Sequence, residues 1–311
     1  MTAPWPLSGR RGGCAAVGRD SQADYQTILR GVQDRLQRAG FDIVEPLCLG
    51  WYNEAVEDLQ DSQIPLNTAP GAQTLAVLVG NSKNMWTHLL EACRESPALL
   101  ASQDPVDSYC ERTIQAATSA EQRKTRIFYS HEEIAGGGYV AMQRLADITG
   151  CAYNDNLSHL SLHPRFGPWF ALRALIVFDG VKYTGQRKPR LPNPMCRQTA
   201  SYVKTAVRTA RTPSLAERSS SQELAEGLRQ SEDADQDAEV MAEVMRRRWR
   251  KWVAVRDAPS PGHPWRYPED MITYHYTSNK GVLAEAVKRF GRSSLSRTSS
   301  SLSRATISSL R

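Results

Sequence analysis

Arg173 interrupts the apolar run from Phe170 to Phe178 and is the side chain with the most chemistry to explain. A guanidinium keeps its proton, and burying its charge unpaired costs several kcal/mol or more, so it requires a fixed anion or an opening to water. That anion is either an Asp or Glu of the chain or something bound. Other groups have weaker signals. His159 and His163 stand four apart, the spacing that puts two ligands on one helical face, but Pro164 and the adjoining strand pattern argue against a helix there. No Cys/His cluster has zinc spacing, so no metal site is expected from protein side chains. Gly136, Gly137 and Gly138 ahead of a helical pattern could offer N–H groups to an anion, although a flexible turn is the commoner meaning. Trp249, Trp252 and Arg256 read as a helix that packs its indoles inward and holds its cations in solvent. GxSxG, the P-loop and GxGxxG are all missing from the sequence.

The elements that would position these groups alternate between helix and strand. A stripe of Tyr25, Ile28, Leu29, Val32 and Leu36 predicts a first helix over 21–40, and FDIVEPLCLGWYN (41–53) reads as extended chain. TLAVLVG (74–80) is a buried strand, NMWTHLLEACRE (84–95) a helix, and PVDSYCERTIQAATSA (105–120) a helix with proline in its first turn. RIFYSH (126–131) reads as a strand, and a helix is expected to start near Gly138 and stop at Gly150. The run holding Arg173 follows as a strand, bounded by Gly167-Pro168 and Asp179-Gly180. Strict alternation would put Leu172, Ala174, Ile176 and Phe178 on one face, with Arg173, Leu175 and Val177 on the other. This pattern predicts an α+β or mixed layer domain over roughly 21–200.

With 311 residues and 41% hydrophobic content the chain can bury a full core. Its isoelectric point is near 9.0, but the excess charge is local. Arg10, Arg11 and Arg19 precede the first acid, and Arg292, Arg297, Arg304 and Arg311 stand in an acid-free tail; setting these seven aside turns the net +6 into about −1. A near-neutral body argues against a nucleic-acid face. Six scattered cysteines without a CxxC pair suit reduced thiols in the cytoplasm, and no apolar run approaches the ~20 residues of a membrane span. The expected organisation is a disordered extension over 1–20, one domain over 21–291 with a polar insertion at about 212–238 and a C-terminal helical cap, and a disordered Ser/Arg tail over 292–311.

Several stretches together resemble the MMACHC/CblC family of cytosolic cobalamin-processing proteins. They are GWYNEAV (50–56), TLAVLVG, DPVDSY (104–109), ITGCAY (148–153), HPRFGPWFALR (163–173), RKP (187–189) and WRKWVAVRDA (249–258), in the family's order. The resemblance implies a nitroreductase/flavin-reductase-like fold. It also implies an enzyme that binds cobalamin base-off and removes the upper ligand, by reductive decyanation of cyanocobalamin or by glutathione-dependent dealkylation of methylcobalamin and adenosylcobalamin, with cob(II)alamin among the bound forms. Electrons would come from a flavoprotein reductase or from FMN or FAD with NADPH, and a downstream cobalamin-trafficking protein would receive the product.

Carried over by position, the cobalamin contacts fall on Tyr129 or Ser130 at a strand end and on Val140, Ala141, Met142 and Gln143 along the helix. They continue through Asn154, Asp155 and Asn156 to Ser158 and Ser161. Apolar members of such a set suit a corrin, and amides and hydroxyls suit its propionamide fringe. The glutathione arginines fall on Arg173 and Arg256, which makes a glutathione carboxylate the implied anion of Arg173, a structural Asp or Glu remaining the alternative. The family's HxxG histidine, which borders the nucleotide-tail pocket, is here Asp147, and a third glutathione arginine aligns with Lys280, a point charge without a fork. Two other readings stay open, a non-catalytic cobalamin carrier and a flavin-dependent reductase of another substrate.

Overall fold

The computed structural model describes residues 20–57, 73–134, 137–212 and 248–292. Boundary residues aside, the expected 1–20 extension, 212–238 insertion and 292–311 tail lie outside the described residues. Four strands, β1 (Ile43–Cys48), β2 (Thr74–Asn81), β6 (Ala171–Lys182) and β3 (Thr125–Tyr129), form one antiparallel sheet in the order β1-β2-β6-β3. A two-residue ribbon, β4 (Tyr153–Asn154) with β5 (Ser161–Leu162), stands apart from it.

Helices cover both faces of the sheet. On one lie α1 (Asp20–Arg38), α3 (Asn84–Glu95), α4 (Pro97–Ala101) and α5 (Pro105–Ser119), joined by α8 (Trp249–Asp257), α9 (Glu269–Thr277) and α10, a helix over 280–292. On the other lie α2 (Leu49–Val56) and α6 (Met142–Ile148). α7 (Arg197–Arg211) packs Val203, Val207 and Ala210 against Val255 of α8. Central β6 explains the double cover: Ala174, Leu175, Ile176, Val177 and Phe178 are all fully buried, and each large side chain among them contributes about 2 kcal/mol of apolar burial. Buried on both sides, such a strand reads as continuous apolar sequence rather than as alternation.

Arg173 marks a break in that strand. Opposite β2, Val79 faces Ala174 but Gly80 faces Leu172, so Arg173 is the extra residue of a β-bulge. Strict alternation therefore fails here. Leu172 packs with Leu175 and Val177 on the α2/α6 face, while Ala174, Ile176 and Phe178 face α1, α3 and α5. The bulge turns Arg173 toward α5, where Asp107 stands.

Two further expectations need correction. The stretch read as extended over 41–53 turns helical at Leu49, because the apolar Leu49, Tyr52 and Val56 share one buried helical face. The helix expected from Gly138 begins only at Met142: Gly137 and Gly138 have φ of +96° and +83°, and their turn closes on itself through Ile134. This is a backbone shape that glycine adopts freely, and it separates the glycines from the helix end they were read with. Val140 and Ala141 thus sit in the extended entry to α6, anchored where Tyr52 Oη accepts from Ala141 N at 3.1 Å.

Candidate functional site

Two adjoining cavities open along α6 and the β4–β5 ribbon, of about 450 Å³ and 310 Å³, sharing Met142, Gln143 and His159 in their walls. The larger is lined by Ser130, Val140 and Ala141 on one side and by Asn154, Asp155 and Asn156 on the other. The smaller adds Ser161, Phe170, Leu172, Tyr276 and Arg256. Apolar and amide or hydroxyl groups thus share one surface. That composition suits a large ligand with an apolar ring and a polar fringe.

The ribbon and its turn build the polar wall. Asp155 Oδ2 accepts from Ser158 N and Oγ at 2.8 and 2.6 Å, and Asn154 Oδ1 accepts from Ser161 Oγ at 2.6 Å. His159, held at φ +56°, gives its carbonyl to Gln143 Nε2 at 2.6 Å, tying the turn to α6. Ser158 is buried and fixes Asp155 instead of lining the cavity.

Arg256 is turned inward, against the expectation of a solvent-facing cation. Its Nε and Nη2 donate to the carbonyls of Pro168 and Phe170, both at 2.7 Å, and its guanidinium lies 4.6 Å from the Trp169 ring centroid and 4.8 Å from that of Tyr267. This lends the HPRFGPWF turn one rigid cation, which borders the smaller cavity.

Arg173 lies deeper, its side chain 11% exposed. Nε donates to Asn81 Oδ1 at 2.8 Å, and Asn81 is oriented for this because its Nδ2 donates to Ser82 O at 2.9 Å. The nearest carboxylate, Asp107 Oδ1, is 3.8 Å from Nη1 and is shared with His131 Nδ1 at 3.6 Å. Arg173 Nη2 is buried with no hydrogen-bond partner, as are His275 Nε2 and the indole nitrogens of Trp86 and Trp169. A buried guanidinium held chiefly by a neutral amide retains attraction for an anion. Both alternatives for its partner therefore have a physical counterpart, a loose Asp107 and an unfilled donor.

The electrostatics around it follow. Burial, with Arg173 and Arg256 nearby, drives His275 down to about 3, so it is neutral. Burial and the neighbouring Asp104 push Asp107 upward, against the pull of His131 and Arg173.

Three further sequence-derived site residues fall elsewhere. Tyr129 is buried in the core with its Oη donating to Glu111 O at 3.3 Å, leaving Ser130 at the cavity. Asp147 points away from the cavity and pairs with Arg190 Nη1 at 3.4 Å. Lys280 is exposed and donates to Ser102 O at 2.8 Å. His159 and His163 line different cavities on opposite sides of the ribbon, so they do not form a pair. Sequence reasoning missed Asn81, His275, Tyr276 and Leu172 as members of the site. Of these only Asn81, a polar residue closing the apolar strand β2, carried a signal.

The family model described as the methylmalonic aciduria and homocystinuria type C family, MMACHC, matches residues 40–207. A Danio rerio protein named cyanocobalamin reductase / alkylcobalamin dealkylase is 28% identical over 179 residues, 52% of this chain and 68% of that protein. The Homo sapiens protein of the same name is 28% identical over 177 residues, spanning 60% of its length. Among solved structures, a C. elegans B12-trafficking protein CblC, described as a human MMACHC homologue, shares the fold with a TM-score of 0.57 at 18% identity, over 84% of this chain and 96% of that one.

Proposed function

Since the chain belongs to the methylmalonic aciduria and homocystinuria type C family, we propose that it binds cobalamin with the nucleotide base off the cobalt and removes the upper axial ligand. Cyanide leaves cyanocobalamin on reduction by electrons from a flavoprotein or a reduced flavin. The thiolate of glutathione attacks the alkyl carbon of methylcobalamin or adenosylcobalamin, forming a thioether as the Co–C bond breaks and leaves its electron pair on the cobalt as cob(I)alamin. The relatives' name covers both reactions. A nitroreductase-type ancestry, a cytoplasmic location and hand-over to a trafficking protein belong to the same reading, and the reduced thiols of Cys93, Cys110, Cys151 and Cys196 support a reducing compartment.

The observation that carries the reading is the joining of two unlike surfaces. The paired cavities offer apolar contact for a macrocycle and amides for its fringe. Arg256 in the wall of the smaller cavity and Arg173, which lies deeper with a buried Nη2 that has no partner, offer a fixed grip for a small carboxylate ligand. The protein's task is then to bind, orient and exclude water, so that the thiolate is held in line with the bond it attacks. Arg256 orients, since its Nε and Nη2 are tied to backbone carbonyls. Arg173 holds the anion, and neutral His275 adds no competing charge.

Absorption titration with cyano-, methyl- and adenosylcobalamin tests the first step. A shift of the corrin bands toward the base-off form is expected with each, and no shift would sink the proposal. A second reading, a carrier with little turnover, is favoured by exposed Lys280, which is tied to Ser102 and lacks a fork for the third anion contact. Thioether formation at millimolar glutathione, read by mass spectrometry, decides between the two.

A further inference from the structure

Across the β4–β5 ribbon from the candidate site lies a separate cavity of about 400 Å³. The ribbon pairs Tyr153 with Leu162 and Asn154 with Ser161. Tyr153 and Leu162 face the new cavity, while Asn154 and Ser161 face the cavities already described. Pro168 is the wall common to both sides.

Its lining is unusual in composition. Pro164, Pro168, Pro192, Pro194 and Pro259 supply rigid apolar surface with no backbone N–H. Against them stand two imidazoles whose tautomers are fixed by the backbone. His163 Nδ1 accepts from the N–H groups of Arg165 and Phe166 at 3.0 and 3.3 Å, and His263 Nδ1 accepts from Trp265 N at 3.1 Å. In the neutral ring each Nε2 must then carry the hydrogen and donate. The His263 ring is seated on Gly167, whose φ is +55° and where any Cβ would stand 3.0 Å from the imidazole. Turn and ring therefore hold each other in place.

We propose that this cavity is a second ligand site, for a neutral planar heteroaromatic ring, from nucleobase to tricyclic size, that accepts hydrogen bonds at its edge. Flat proline faces suit a ring, and the two Nε2–H groups suit ring nitrogens or carbonyl oxygens. Burial, with Arg165 and Lys188 nearby, keeps His163 uncharged down to about 4, and burial with Lys83 nearby lowers His263 as well, so the imidazoles themselves offer shape and donors and no charge. The volume lies at the lower end of the range for small-molecule sites. The proposal stands apart from the cobalamin reading, sharing only Pro168 with that site.

The test titrates the full chain with adenine and lumichrome, and with benzoate as a flat anionic control, by ligand-observed NMR. One neutral ring or both should saturate in the micromolar range, with a Kd unchanged between pH 6 and 8 and unmoved by saturating hydroxocobalamin. Pro194→Trp, which fills the cavity from an exposed wall position, and His263→Phe, which removes one donor, should each weaken binding about tenfold while leaving the circular dichroism spectrum intact. The proposal is overturned by no saturable binding of either ring, by tighter binding of benzoate, by competition from cobalamin, or by full affinity in both variants.

Discussion

Arg126 and Arg173 stand on paired strands of one sheet and have opposite fates. Arg126 donates from Nε and Nη2 to Asp179 Oδ1 at 3.0 and 2.9 Å, and its side chain is 32% exposed. Arg173, though far more buried, has a neutral amide at 2.8 Å, a carboxylate only at 3.8 Å and a buried Nη2 without a partner. Folding stability alone would favour the reverse, since the deeper charge has the greater need of an anion. Charge at Arg126 is settled within the fold. At Arg173 it is held available, in a bulge that aims it, and an available buried cation is what an anionic co-substrate requires.

The contrast sets the largest expected effect. Arg173→Gln should reduce glutathione-dependent dealkylation about 100-fold, the loss typical of truncating one member of a desolvated charge pair. Reductive decyanation, which uses no tripeptide, should stay within a fewfold. Arg126→Gln should leave both rates alone and lower stability by about 1 kcal/mol or less, as partly exposed pairs do. Thioether yield by mass spectrometry and the corrin absorption report the two rates separately; equal losses in Arg173→Gln would mean a folding defect.

A subtler change should make Arg173 resemble Arg126. Asn81→Asp places a carboxylate where Nε already donates, giving the guanidinium a partner of its own. Glutathione should then compete with an internal anion, and its KM should rise about tenfold with kcat nearly unchanged. An unaltered KM would show that Arg173 does not touch the co-substrate.

Local signals made the scaffold legible, and distance hid the site. The helix over 105–120 was readable from Pro105 following Asp104, and in the structure Asp104 caps it by accepting from Val106 and Asp107 N–H at 3.0 Å. Strand β2 was readable as an unbroken apolar run. The bulge was not, because alternation is a rule about neighbours within a strand, whereas a bulge is a mismatch with the partner strand. Arg173 and Asn81 are 92 positions apart, and nothing in either segment names the other. Arg173 could be recognised as anomalous, yet its partners could be found only once the chain had folded. The inward turn of Arg256 was hidden likewise, since helical spacing shows which residues share a face but not that backbone carbonyls await one of them.

His275 is held neutral first by burial and then by the field of both arginines of the site. Its folded pKa of about 3 lies below the ordinary histidine value, so below pH 6.5 the unfolded chain binds more protons than the folded one. Stability should therefore fall with pH from about 6.5 toward 3, by at most about 1.4 kcal/mol per unit for this group. His163, held down to about 4, adds to the same slope until that pH. Urea unfolding at pH 7 and pH 5 should show the loss, and His275→Phe should remove part of it. A Phe variant with an undiminished slope would assign the acid sensitivity to other groups.

Asp147 gives the smallest effect, because its charge is settled like that of Asp179. Its side chain is 14% exposed and pairs with Arg190 at 3.4 Å, away from the walls of the candidate site. The family resemblance implies a histidine at this position, bordering the cobalamin nucleotide tail. Asp147→His should nevertheless change cobalamin affinity by less than about twofold, since no cavity wall is altered, and should reduce stability by about 1 kcal/mol or less as Arg190 loses its partner. A tenfold gain in affinity in the absorption titration would place the tail against the end of α6. It would also make Asp147 an adaptation of the binding site and no longer a structural partner of Arg190 alone.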